Sequence, residues 1–238
     1  MIEAGRVAVS GNVLTTPAVK LTSLKDVTVD GKPMAAPEAP RLWLYHKPTG
    51  LVTTERDEKG RETVFDALPD DLPRVLSVGR LDINSEGLLL LTNDGEIKRK
   101  LELPATGWTR KYRVRVKGQP TEAMLAKLRS GVTSEGETFR PMEVDLDRQQ
   151  GANAWLSITL TEGKNREIRR AMEEVGLVVN RLIRISYGPF QLSELPAGSV
   201  KEVAPRILAD QLGLPRPEKK VERRASAKRR PGKPKKRR

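Results

Sequence analysis

The sequence predicts an α+β fold, on three observations. Segments such as "RKYRVRVKG" and "AWLSITLTEG" alternate polar and apolar residues with the period of two that marks strands burying one face. Helical spacing with capping chemistry is confined to a few places, chiefly "TEAMLAKLRSG" and "KNREIRRAMEEVG". Strands and helices also follow one another without the regular strand–helix–strand beat of a parallel sheet.

Residues 1–32 hold short strand-like runs, "RVAVSGNVL" and "DVTVDGKPM", broken by the turn pairs Ser10-Gly11 and Asp30-Gly31. So few residues make a poor core alone, which predicts a fragment or a segment that leans on something else. Residues 33–40, "PMAAPEAP", read as a linker. The segment "RLWLYHKP" is a strand that must end at Pro48, followed by a polar loop and short helix over "TGLVTTERDEKGRETVFDAL". Two apolar segments, "RVLSVGRLD" and "GLLLLTNDG", are joined by the loop "INSE", and Asn93-Asp94-Gly95 closes the second as a turn signal. In "RKYRVRVKG" one face is apolar and the other is Arg and Lys. "TEAMLAKLRSG" is a helix capped by Thr121 and closed by Gly131.

In the last helix, Asn165 is the expected N-cap and Gly176 the expected C-cap. At about 100° per residue, Ile168, Ala171, Met172 and Val175 share one stripe while Arg166, Arg169 and Arg170 gather opposite it. The acids Glu167, Glu173 and Glu174 offset that charge only in part. The arginines form either a solvated face or one that recognises an anion.

With 238 residues the chain suffices for one large domain or two modest ones. No apolar run approaches the roughly 20 residues of a membrane helix, and the first residues lack the apolar core of a signal peptide. A cytoplasmic protein is the default. With no cysteine and one histidine, His46, thiol nucleophiles, disulfide scaffolds and His-rich metal sites are excluded. Catalysis would fall to carboxylates, Tyr, Lys and Arg, and His46 at a strand end reads as structural.

The net charge of +13 points to a polyanionic partner, and its distribution is uneven. The stretch from Pro215 to the C-terminus holds 13 Lys and Arg against two Glu, so it carries +11 and leaves +2 for the first 214 residues. That stretch has almost nothing to bury, which predicts a disordered arm over 209–238 holding nucleic acid through phosphate contacts.

Phosphate-binding loops of the G-x-x-x-x-G-K-[ST] or G-x-G-x-x-G type are missing. The stretch "SVGRLDINSEGLLLLTNDG" sets Arg80 and Asp82 just before the most apolar run. A carboxylate buried there costs several kcal/mol, on the order of its lost hydration, unless a cation or hydrogen bonds compensate it. On pattern alone Asp82 reads first as a turn residue and second as a catalyst.

Taken together, "GRLDINSEGLLLLTNDG", "RKYRVRV", "EGKNREIRRAM" and "NRLIRISYGPF", in this order and spacing, resemble the RsuA-type pseudouridine synthases, most closely the RluB branch that modifies large-subunit ribosomal RNA. The match spans roughly residues 40–205. "AGRVAVSGNVL…DVTVDGK" is similar to the second half of an S4-type RNA-binding domain, without that module's opening helices. The resemblance implies a pseudouridine synthase fold over 41–208, a largely antiparallel mixed β-sheet flanked by helices. It further implies isomerisation of a specific uridine to pseudouridine in 23S ribosomal RNA, naked or in an assembling large subunit, without cofactor or metal; apart from the resemblance, a monomer is expected. By the same resemblance Asp82 is the nucleophile, Tyr112 lies against the target base and is implicated in taking the C5 proton, and Arg169 pairs with the aspartate. Arg80 would fill the place of the flipped nucleotide, and Arg166, Arg170, Arg181 and Arg184 become candidates for phosphate contacts. Lys47 and Gly50 receive no role. A small-subunit target, or a non-catalytic ribosome-assembly factor on the same scaffold, are the rival readings.

Overall fold

The computed structural model describes residues 1–21, 23–34, 38–103 and 107–214. The first 34 residues form a small antiparallel sheet, ordered β2-β1-β3-β4, from β1 (Val7–Val9), β2 (Asn12–Val13), β3 (Val27–Val29) and β4 (Lys32–Pro33). Ser10 and Asp30 take left-handed backbone beside Gly11 and Gly31, as their turn chemistry predicts. A two-pronged ion pair from Arg6 to Asp30 crosses this sheet. Of the expected linker, residues 35–37 lie outside the described residues.

The chain then runs through β5 (Leu42–Lys47), β6 (Leu76–Val78), β7 (Glu86–Thr92) and helix α1 (Gly95–Glu102). Next come β8 (Arg110–Lys117), α2 (Glu122–Ser130) and the hairpin β9 (Val132–Ser134) with β10 (Glu137–Phe139). The order closes with β11 (Glu143–Gln150), β12 (Asn153–Leu160), α3 (Glu167–Glu174), β13 (Val178–Tyr187), β14 (Phe190–Gln191) and β15 (Val200–Glu202). The large sheet is ordered β11-β12-β8-β13-β7-β5-β15, with β14 added to β13 and β6 to β7. Its strands pair antiparallel except β13 with β7. That parallel seam joins β5, β6 and β7, with β15 on their outer edge, to the strands β8, β11, β12, β13 and β14.

Period-two patterning decides which way each strand faces. Tyr112, Val114 and Val116 of β8, with Ala154, Leu156 and Ile158 of β12, share one buried cluster with Leu125 and Leu128 of α2 and Ile168, Ala171 and Met172 of α3. Each such side chain contributes roughly 1.5–3 kcal/mol on leaving water. Thr121 caps α2 by accepting the Met124 N–H, and Gly131 ends it at φ +92°, as expected.

Three local expectations fail. No helix forms over 49–68, because Thr63 and Asp66 bond each other's backbone and side chain in a tight turn just before Pro69. Asn93-Asp94-Gly95 is no simple turn: Asp94 accepts the N–H groups of Glu96 and Ile97 and so starts α1. Helix α3 begins at Arg166, not Asn165; Arg166 holds a left-handed φ of +49° with no side-chain cap, and Val175 rather than Gly176 is the C-cap.

A second compact unit begins at Val203. Its helix α4 (Pro205–Leu212) places Pro at the first turn, where a missing N–H costs little, and ends at the left-handed Gly213. This helix runs through residue 209, where the tail was expected to begin. The strongly basic remainder, 215–238, lies outside the described residues.

Candidate active site

The loop between β6 and β7 carries Arg80 and Asp82, and its backbone is gripped at every step. Thr53 donates its hydroxyl to the Leu81 carbonyl at 2.8 Å and accepts the Leu81 N–H at 3.3 Å. The Asp82 carbonyl accepts the Ser85 N–H at 2.9 Å and the Lys47 ammonium at 3.2 Å. The Ile83 carbonyl takes the Gly50 N–H at 2.8 Å, and the Asn84 carbonyl takes Arg169 Nη2 at 2.8 Å. The Ser85 carbonyl accepts Lys47 Nζ at 2.9 Å. Five consecutive carbonyls, 81 to 85, are thus all held. By contrast, the half-buried Asp82 carboxylate makes no protein hydrogen bond or ion pair among the described residues.

Lys47 is fully buried at the end of β5, and its third proton goes to the Pro48 carbonyl at 3.0 Å. Burial pushes its pKa down to about 8, against the attraction of Asp82 and Glu86. His46, its neighbour, is structural: Nδ1 donates to the Leu195 carbonyl.

Asp82 opens onto a cleft of about 420 Å³, a size typical of small-molecule sites, which run from about 300 to 1,000 Å³. Arg80 and Asp82 form one wall, Arg110 and Tyr112 of β8 a second, and Arg184 and Tyr187 of β13 a third. The loop Gly163–Arg166 and the first turn of α3 close it. Tyr112 is 8% exposed and sits across from Arg184 in the β8–β13 register. Arg110 lies 4.8 Å over the Tyr187 ring and donates to its hydroxyl, which in turn donates to the Leu101 carbonyl. Gly87 is obligatory: at φ +104° a Cβ there would stand 2.3 Å from the Arg184 carbonyl oxygen.

Glu167 is buried in the first turn of α3, one oxygen accepting the Lys164 N–H at 3.0 Å and the other without a hydrogen-bond partner. Burial, with the nearby Glu162 carboxylate, pushes its pKa up to about 7, while the Lys164 N–H opposes the shift. Arg169 is also buried, and burial followed by repulsion from Arg166 lowers its pKa, opposed by attraction from Asp82.

A family model described as RNA pseudouridylate synthase matches residues 41–174, more than half the chain and most of the residues that line this cleft. The chain belongs to that family. It is an RNA pseudouridine synthase, an isomerase. An RNA pseudouridine synthase of Rickettsia prowazekii is 42% identical over 212 residues, covering 89% of each chain. The ribosomal large subunit pseudouridine synthase B of Haemophilus influenzae is 42% identical over 225 residues, covering 90% of this chain and 63% of that one. A crystal structure of a pseudouridylate synthase shares the fold, with TM-score 0.67 at 23% identity over 89% of this chain and 90% of that one. The expected α+β pseudouridine synthase fold is therefore found.

Within this pseudouridine synthase the expected site residues part company. Asp82, Tyr112, Arg80, Arg166 and Arg184 all line the cleft. Arg169 forms no ion pair with Asp82 among the described residues; it donates instead to the carbonyls of Asn84 and Val179. It acts on Asp82 by holding the loop and by charge through space. Arg184 is buried in the cleft lining, donating Nε to the Leu88 carbonyl at 2.7 Å while its Nη2 has no hydrogen-bond partner. Arg170 is bound to Glu137 and the Ser134 carbonyl and stacks 4.8 Å over Phe139, which fastens α3 to the β9–β10 hairpin. Arg181 is paired with Glu86. The sequence reading left Lys47, Thr53 and Glu167 without a role; its one signal for Lys47 was a cation placed immediately before the Pro48 that ends β5.

Proposed function

We propose that this pseudouridine synthase isomerises a uridine of large-subunit ribosomal RNA, with Asp82 as its nucleophilic carboxylate. The observation that carries the assignment is the contrast at residue 82, where every neighbouring carbonyl is held and the carboxylate is free at the floor of the cleft. The target base leaves its stack, at a cost of a few kcal/mol, roughly, to reach it. Exposed Arg80 offers a planar guanidinium for the vacated position, and Tyr112 offers its ring to the extruded uracil. Asp82 assists rupture of the N1–C1′ bond, the uracil turns within the cleft, C5 bonds to C1′, Tyr112 takes part in removing the C5 proton, and N1 gains a proton, so the step is an isomerisation. Arg169 and Lys47 are positioning residues that keep the loop and its charge in place. Exposed Arg166, on the strained backbone at the head of α3, is the cleft-rim arginine best placed for a phosphate. The large-subunit target is supported by the likeness to the synthase B of Haemophilus influenzae.

Asp82→Asn tests the assignment. Release of tritium from RNA labelled at uridine C5 is expected to vanish while RNA affinity stays within about tenfold. Retained turnover would refute the nucleophile. Mapping of pseudouridines in a deletion strain is expected to show one missing from large-subunit RNA; a loss from small-subunit RNA, or none, overturns the target.

A further inference from the structure

Strand β8 has a second face, turned away from Tyr112 and the cleft. Lys111, Arg113, Arg115 and Lys117 are all exposed on it, alternating with the buried Tyr112, Val114 and Val116. Same-face neighbours on an antiparallel strand stand about 6.8 Å apart, so the four cations make a row about 20 Å long. Among the described residues none of the four has an ion-pair partner. Elsewhere several arginines are paired, among them Arg6 with Asp30, Arg41 with Glu202 and Arg61 with Asp57. Four unpaired like charges in a row repel one another and weaken the fold.

An aromatic ring lies in the same place. Trp155 of β12 is in register with Arg115, and the Arg113 guanidinium sits 4.8 Å from its ring centroid. The indole is half-buried, with the rest of its surface open beside the cation row. On the other flank, β13 sets Arg181 opposite Arg115, its charge held by Glu86. Acids gather on β11, where Glu143 and Asp145 pair across to Thr159 and Ser157, and Asp147 accepts the Ser157 hydroxyl. They stand about 10 Å from β8, two strand spacings away.

We propose that this open sheet face is a second RNA-binding surface, on which the β8 cations hold successive phosphates of a single-stranded segment while Trp155 stacks one of its bases. Cations beside a π-face are what unpaired RNA selects, since a paired base hides its ring. The acids of β11 repel a backbone laid toward them, although Arg148 of that strand stands in register with Trp155, so the β8 row is the continuous cationic track. The proposal rests on the reading of this chain as an enzyme acting on ribosomal RNA, and it adds contact with RNA beyond the target nucleotide.

The test uses the full chain carrying Lys111→Gln, Arg113→Gln, Arg115→Gln and Lys117→Gln together, with oligouridylate as probe across a salt series. The affinity is expected to fall about tenfold or more, and the slope of log affinity on log salt to shrink by about 2 to 3, at ~0.7 per phosphate contact on a single strand. Trp155→Phe is expected to diminish the RNA-dependent quench of tryptophan emission, leaving what Trp108 beside the cleft residue Tyr187 contributes. Turnover on a minimal stem-loop stays within about twofold, because none of these residues lines the cleft. An unchanged salt slope, a quench undiminished in Trp155→Phe, or equal affinity for a duplex of the same length would each overturn the proposal. Should the fourfold variant not fold, Arg113→Gln and Arg115→Gln singly carry the test, each lowering the slope by ~0.7. Absence of tritium release from the wild-type chain with the slope change intact sinks the catalytic reading alone; normal turnover with an unchanged slope sinks this surface alone.

Discussion

Lys47 and Glu167 show what the fold does to single ionisable groups near the cleft. The Lys47 ammonium has three protons and meets three carbonyls, so burial lowers its pKa without stranding a donor. Glu167 has a free oxygen and a like-charged neighbour in Glu162, so its neutral form is favoured. Its folded pKa of about 7 lies above the ordinary 4.5, so the folded state binds that proton more tightly. The stability this brings is complete below about pH 4.5 and is lost as pH rises through 7. Glu167→Gln is therefore expected to match the wild type near pH 4.5 and to become the more stable of the two as pH rises toward 8. Chemical denaturation at the two pH values checks this; a difference that does not grow with pH refutes it. Neither role was legible beforehand. Lys47 acts on the carbonyls of Asp82 and Ser85, 35 and 38 residues away, and backbone acceptors leave no mark in a side-chain pattern. Ordered motifs carried Asp82, Tyr112, Arg80 and Arg166, which line the cleft, whereas the partners of Arg169 and Arg170 were not legible: charge on a helix wheel does not tell whether a guanidinium meets solvent, a carboxylate or a carbonyl.

Among the elements, those with local signals were read well. Strand β5 stops at the proline, β8 and β12 alternate through their whole length, and α2 has both its caps in the sequence. The failures came where one residue type serves two structures. Asp94 bonds N–H groups two and three residues ahead, which suits a turn as well as a helix start, and only packing of Ile97 and Leu101 selects the helix. The head of α3 is set by the left-handed Arg166, a conformation no propensity predicts. The parallel pairing of β7 with β13 was likewise invisible, yet Gly87 explains itself there. Gly87→Ala would drive a methyl into the Arg184 backbone, and we expect a loss of roughly 2–4 kcal/mol with nearly complete loss of activity. A thermal melt and a tritium-release assay read both; an active variant of unchanged stability refutes the close approach.

Over the whole chain the charge is segregated, with most of the excess beyond Pro215. Removing residues 215–238 is expected to weaken binding to ribosomal RNA and to flatten its salt dependence, while kcat on a saturating short substrate stays within about twofold. An unchanged slope in a filter-binding series refutes an RNA-holding arm. The cleft depends on a different large-scale feature. Asp82 stands on the β7 side of the parallel seam, while Tyr112, Arg169 and Arg184 stand on the β13 side. The cleft is thus a property of a joint that neither half of the sheet contains. Mild denaturant that parts the two halves should extinguish turnover while the far-ultraviolet dichroism still registers intact strands, so enzyme assays would detect the first fracture of this molecule well before spectroscopy does.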